Sequence, residues 1–247
     1  MRIAIVGGSG TLGRPVTEQL RARGHEARVL SRNSADHPVD LRTGAGLAAA
    51  LADCEVVVDA SNASGKAAAT LVEGSARLLA AEQRAGVRHH VCVSIVGCDR
   101  VPLGYYQVKT RQEQVVRSGP VPWTIVRATQ FHELVAGMLA PAARWGVLPA
   151  PKARLQTVAA AEAATAVADV AEAEPTRGQL EVAGPEVREV AELARTWRSV
   201  TGRRALLLPV PLPGKLGRAL RAGGLCSDQP DVRGELTFAD WLARRGR

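Results

Sequence analysis

An apolar run, MRIAIV, leads without interruption into GGSGTLG, residues Gly7 to Gly13. Few backbones satisfy that order. The first strand is predicted over Arg2 to Gly7 and the first helix over Leu12 to Arg23, so the helix's unpaired N–H groups and its positive dipole end face the turn. Gly7 permits the tight turn, Gly10 lets a diphosphate approach the backbone, and Gly13 lets helix and strand pack closely. One glycine would serve a plain strand-to-helix turn. Three at three-residue intervals point to a dinucleotide cradle, with Ser9, Thr11 and Leu12 completing the loop.

Downstream, β-branched runs alternate with Ala/Leu-rich stretches. Strands are predicted at Glu26 to Ser31, His37 to Leu41, Glu55 to Ala60, His89 to Ile95 and Trp123 to Ala128. The intervening helices are predicted at Gly46 to Leu51, Lys66 to Ala85 and Tyr105 to Ser118. Gly24, Gly86 and Gly119 are expected to stop helices in left-handed turns. Parallel strands need crossovers, and crossovers are right-handed, so the order gives an α/β chain with a Rossmann-type doubly wound parallel sheet.

After Ala128 the rhythm changes. PAARWGVLPAPKARLQTV is rich in Pro and Gly; a helix (Ala160 to Ala171), a strand (Gln179 to Gly184) and a helix (Glu186 to Thr201) follow, and FADWLARR closes the pattern. The expected division is a nucleotide-binding domain over 1–130 with 157–185 returning to it, and a small substrate lobe over 131–156 and 186–247. Trp145 and Trp197 are assigned to packing in that lobe.

The formal charge is +8, from 32 Lys and Arg against 24 Asp and Glu. Those cations are dispersed, and two Tyr and two Phe offer few stacking platforms, so nucleic acid is not an expected partner. Cys54 and Cys92 fall in apolar runs read as buried strands, and with Cys98 and Cys226 they form no C-x-x-C pair; a reduced, cytoplasmic protein is expected. No charged-then-apolar leader and no run of about 20 apolar residues is present, so no membrane partner is expected. His89, His90 and Cys92 alternate across a strand, which argues against a metal site.

GGSGTLG together with VLSRNS, VSIVGCDRVPLGYYQVK and TIVRATQF resembles the atypical short-chain dehydrogenase/reductases of the NmrA-like, NAD(P)H-binding group, over the first 130 residues. Cofactor choice is read at the end of the second strand. An NAD site places an acid there; this chain has Ser31-Arg32-Asn33, and Arg32 can grip a 2′-phosphate with paired donors, so NADP(H) is expected over NAD(H). Asp40 resembles the family's adenine-side acid, which would put Ala60 and Ser61 beneath the adenosine and ribose path.

YYQVK carries the candidate chemistry. Tyr105 and Lys109 stand four apart on one helix face, and an adjacent ammonium is expected to lower the phenol's pKa from its usual value near 10. The resemblance implies that Tyr105 protonates the substrate oxygen as hydride arrives, that Lys109 holds the nicotinamide ribose, and that Ser94 hydrogen-bonds the substrate oxygen. Tyr106 is an alternative donor and substrate contact. Thr129, Gln130 and Phe131 match residues that line the family's nicotinamide and substrate cleft. His132 is either a substrate contact or a helix-surface residue beside Glu133. Two function classes remain open: an NADPH-dependent reductase of a carbonyl, quinone or enone of a small organic substrate, and an NADP(H)-binding redox sensor without turnover. A dehydratase or epimerase that retains its cofactor is a variant of the first.

Overall fold

In the computed structural model, residues 1–63 and 69–245 are described. The chain divides into two compact units, residues 1–94, 104–127 and 164–180, and residues 95–103, 128–163 and 181–247.

The first unit begins as the glycine pattern requires. Strand β1 (Arg2–Val6) delivers the loop to helix α1 (Gly13–Ala22), and β2 (Glu26–Leu30) pairs parallel to β1. Val16, Thr17 and Leu20 are the buried stripe of α1, at helical spacing. Helix α2 (Leu47–Ala50) then precedes β3 (Val56–Asp59), which pairs with the other side of β1. A π-helical turn at Ala69–Glu73 runs into α3 (Gly74–Ala85), and β4 (His89–Ile95) pairs parallel to β3. Helix α4 (Gly104–Arg117) and strand β5 (Trp123–Ala128) follow. All four residues of β3 and all six of β5 are buried, the signature of strands covered on both faces. Leu30, Val57, Leu78, Cys92, Val116 and Ile125 belong to this unit's apolar core.

The remaining elements are α5 (His132–Ala143), β6 (Val147–Pro151), β7 (Arg154–Leu155), α6 (Ala160–Glu172), β8 (Gln179–Ala183), β9 (Arg188–Glu189), α7 (Val190–Thr201), β10 (Leu206–Val210), α8 (Gly214–Arg221), β11 (Val232–Arg233) and α9 (Phe238–Arg245). The main sheet has the order β11-β8-β5-β4-β3-β1-β2, in which β8 returns to the sheet with β11 parallel outside it. In the second unit β10 and β6 form a separate parallel pair, and Phe238 and Trp241 of α9 stack with ring centroids 5.9 Å apart. Among the described residues no helix is long and apolar enough to cross a membrane.

Several sequence expectations are corrected. HPVDL is not a strand: it makes only isolated bridges, Ser31 with Pro38 and Asp40 with Ala45, because it is too short between turns to extend a ladder. Gly24 and Gly86 do take positive φ, at +84° and +74°, whereas Gly119 does not. Of the Pro- and Gly-rich stretch 141–158 only the first three residues are helical, as α5 admits Pro141 in its last turn, and β6 and β7 take up much of the remainder. Helix α7 starts at Val190, after Glu189 and Glu192 close a reciprocal capping box. Cys54 precedes β3 instead of lying in it, though it is buried as expected. Trp197 is buried, but Trp145, in the turn after α5, is 86% exposed and packs no core. The Lys66 end of the helix predicted to Ala85 lies outside the described residues.

Candidate functional site

The loop after β1 is shaped by backbone against backbone. Gly7 has φ +74°, and a Cβ there would lie 2.7 Å from the Ala60 carbonyl oxygen at the end of β3. A Cβ at Gly13 would lie 2.2 Å from the Gly7 carbonyl oxygen. Any side chain at either place would force the loop open. Gly10 N–H closes the turn onto Gly7 at 2.9 Å, and Leu12 and Gly13 are buried where α1 begins, with no side chain capping its N-terminus. Backbone donors at a helix start with no capping side chain suit a diphosphate. Beside this loop the Ser61 hydroxyl is buried without a hydrogen-bond partner among the described residues, one group the cofactor path would satisfy. The residues present therefore fit a dinucleotide on two counts: a cradle that a Cβ would fill, and an orphaned hydroxyl at its edge.

Past β2, Arg32 is exposed. Asp40 accepts from the Arg42 backbone N–H at 2.9 Å and from its guanidinium at 3.0 Å, and Arg42 and then Arg32 hold its carboxyl below the ordinary carboxylate value. Asp40 is thus an anion already answered locally.

Beneath the loop lies a chain of buried polar groups. Asp59, closing β3, accepts from the Ser61 backbone N–H at 3.0 Å, from the Ser75 hydroxyl at 3.1 Å and from the Gln112 amide Nε2 at 3.0 Å. Gln112 in turn accepts from the Lys109 ammonium at 2.5 Å, and Lys109 also donates to the Val93 carbonyl at 2.8 Å. Asp59, Ser75, Gln112 and Lys109 are all buried. Ser94, next to Val93 near the end of β4, is buried as well.

Tyr105 takes a different course. Its hydroxyl donates to Asn62 Oδ1 at 2.7 Å, an oxygen that also accepts from the Ala63 backbone N–H at 2.8 Å. Burial, and then the neighbouring Tyr106, push the phenol up to about 12. The expected acidification by Lys109 is corrected: an i, i+4 spacing puts both Cα–Cβ bonds on one face, but the lysine ammonium is drawn down to Val93 and Gln112 while the phenol reaches Asn62. The Tyr106 ring lies 6.0 Å from that of Tyr105.

In the second unit, Thr129 is buried and accepts from the Gly184 N–H at 3.3 Å. Gln130 is buried with neither amide atom hydrogen-bonded among the described residues, and Phe131 is half-buried just before α5. His132 is neither a surface residue nor one presented to a ligand. Its Nδ1 lies 2.9 Å from the Thr157 hydroxyl and its Nε2 2.9 Å from the Leu236 carbonyl, with Phe238 and Trp241 against the ring. Burial lowers its pKa, so it is a neutral core histidine.

Sequence reasoning missed Asp59, Asn62, Ser75 and Gln112. One signal was present: an aspartate ending the run VVVD in a strand predicted to be covered on both faces must find donors. Gln112 also follows Lys109 by three residues, on the same helical face.

A family model described as NAD(P)H-binding matches residues 7–174. The photosystem II assembly factor Ycf39 of Synechocystis sp. is 28% identical over 156 residues, which are 57% of this chain and 48% of that protein, so the match spans about half the relative's length. An NADPH-dependent quinone oxidoreductase from Escherichia coli, in complex with NADPH, superposes with a TM-score of 0.84 at 20% identity, over 99% of this chain and 100% of that one. Citrobacter sp. triphenylmethane reductase complexed with NADP(H) gives 0.81 at 19% identity, with 100% of both chains covered. UDP-N-acetylglucosamine 4-epimerase from Bacillus cereus gives 0.74 at 16% identity, covering 99% of this chain and 96% of the other. At such identities the structural likeness establishes the fold, which is that of NAD(P)-binding reductases and epimerases.

Proposed function

The chain belongs to the NAD(P)H-binding family, and from that premise we propose that it is an NADPH-dependent reductase of the short-chain type, acting on a carbonyl, quinone or enone of a small organic substrate. The quinone oxidoreductase and the triphenylmethane reductase among its structural neighbours support acceptors of this conjugated class. A bound nicotinamide supplies the hydride. Everything else falls to the chain's own residues. The Gly7 to Gly13 loop receives the diphosphate, with Ser9 and Thr11 at its rim; Arg32 takes the 2′-phosphate, unopposed because Asp40 is neutralised by Arg42. Ala60 and Ser61 line the path of the adenosine and ribose, and Lys109 serves the second ribose.

The observation that carries the reading is the state of Tyr105. A phenol with its pKa near 12 stays protonated across the neutral range, and its hydroxyl is already held as a donor, toward Asn62. It gives a proton to an oxygen that becomes more basic than itself as hydride is delivered, which is the reductive direction. Ser94 steadies that oxygen. Gln130, whose amide is unpaired among the described residues, and the half-buried Phe131 are assigned to substrate recognition.

The test is NADPH oxidation across a panel of quinones and ketones with Tyr105→Phe beside the native protein. Turnover should fall by about 10²- to 10⁴-fold with the NADPH dissociation constant unchanged; undiminished turnover removes Tyr105 from the mechanism, and loss in Tyr106→Phe instead would transfer the role. Arg32→Ala should weaken NADPH by about tenfold more than NADH, the worth of a charge-assisted contact. Equal weakening of both would withdraw the 2′-phosphate assignment.

A further inference from the structure

Lys109 is buried, and among the described residues no carboxylate pairs with it. Its ammonium gives one N–H to the Val93 carbonyl and one to Gln112 Oε1. The other end of the same amide donates to Asp59 Oδ2 and to the Ser75 hydroxyl, which itself donates to Asp59. The amide cannot be reversed: an ammonium only donates and a carboxylate only accepts, so Oε1 must face Lys109 and Nε2 must face Asp59. An amide held between cation and anion is polarised along that line, which strengthens both bonds in a low-dielectric interior. Asp59 is fixed in its turn by the Ser61 backbone N–H.

We propose that Asp59, Ser75 and Gln112 are positioning residues for Lys109: they lock its ammonium beside Val93, away from the Tyr105 phenol, with a third N–H free for a vicinal diol such as the ribose of a nicotinamide cofactor. This rests on the cofactor reading given above and adds to it the device that fixes where the cation stands. The consequence is a separation of tasks. Lys109 is committed to holding the cofactor, and the phenol is left to donate its proton without help from that charge.

A double-mutant cycle tests the coupling. NADPH dissociation constants are measured by fluorescence titration for the native chain, Lys109→Met, Gln112→Met and the double variant. Each single change should weaken NADPH by about tenfold, and the double variant should be no weaker than Lys109→Met, because a clamp without its cation has nothing left to position. A merely structural role for Gln112 would make the two losses multiply, and that result overturns the proposal. If Gln112→Met does not fold, Ser75→Ala, which leaves the Gln112 to Asp59 bond in place, enters the same cycle with a smaller expected loss. A second measurement uses the native protein labelled with ¹⁵N-lysine. Only Lys66, Lys109, Lys152 and Lys215 contribute signals, and the Lys109 ammonium protons should exchange slowly enough to be seen at neutral pH and vanish in Gln112→Met or broaden in Ser75→Ala. Fast exchange in the native protein overturns the clamp. Should the native chain bind neither NADPH nor NADH while the slow ammonium signal is present, the cofactor reading fails and the assigned purpose of the clamp fails with it; binding with additive losses sinks the clamp alone.

Discussion

Two buried glutamines, one in each unit, are treated in opposite ways. Gln112, in the first unit, has its amide engaged at both ends, between Lys109 on one side and Asp59 and Ser75 on the other. Gln130, in the second, has no hydrogen-bond partner for either amide atom among the described residues. An unmet buried amide costs free energy that a folded chain retains only where something else returns it. The first amide is met inside the fold; the second is not, which is the opening that its proposed role in substrate recognition would fill. Ser61, orphaned at the rim of the glycine loop, belongs with Gln130 in this respect.

The largest effect should come from breaking the closed network. Gln112→Met leaves a buried ammonium N–H and a carboxylate lone pair unmet and should cost about 3 kcal/mol of stability in urea titrations. A loss below about 0.5 kcal/mol, the level of an ordinary surface change, would mean that the network carries no load.

That network also marks how far the sequence could be read. The strand, glycine loop and first helix were legible because the glycine spacing is itself a local pattern and the demand at Gly13 comes from Gly7 in the same loop, whereas the close approach of Ala60 to Gly7, from just past β3, appears only in the fold. The sheet followed from alternation and handedness. The fate of Lys109 was not legible, because it depends on Asp59 and Ser75, which lie 50 and 34 residues back along the chain and meet it only through folding. The i, i+4 rule correctly put Tyr105 and Lys109 on one face and could not say which partners would draw their tips apart. His132 failed for a similar reason: Leu236 and Phe238, which enclose it, are about a hundred residues distant.

A comparison inside β4 gives the next prediction. His89 and His90 are neighbours on opposite faces of the strand. His89 Nε2 sits 2.9 Å from the Thr124 hydroxyl, and burial lowers its pKa from 6.5 to about 4. Below about pH 6.5 the unfolded chain takes up a proton that the folded chain refuses, so His89 makes stability fall as pH drops from 6.5 to about 4. His90 is buried too, which opposes its charge, yet the Glu82 carboxylate 2.9 Å away prevails and holds its pKa well above 6.5. Its contribution is full below 6.5 and fades as pH rises through that elevated value. His89→Asn should therefore flatten the acid side of a stability profile and His90→Asn the alkaline side. Identical profiles for the two variants would contradict the opposed environments.

Gln130→Met should leave stability within about 0.5 kcal/mol of native, because it removes a polar group that none of the described residues meets. If substrate recognition uses that amide, KM should rise by about tenfold at unchanged NADPH affinity. A destabilisation as large as that of Gln112→Met would show the amide to be satisfied inside the fold, and the contrast between the units would disappear.

Ser61→Ala is the mildest of these changes and the most discriminating for the cofactor path. The hydroxyl has no partner to lose among the described residues, so the folded chain should be as stable as before or slightly more so in thermal melts. A single neutral hydrogen bond to a bound ribose or phosphate is worth roughly 0.5 to 1.5 kcal/mol, a weakening of about two- to twelvefold in the NADPH dissociation constant. Loss of stability with unchanged affinity is the reverse pattern. It would assign Ser61 to the interior of the first unit along with Ser75, and leave the glycine loop as the only part of that path with a stated fit.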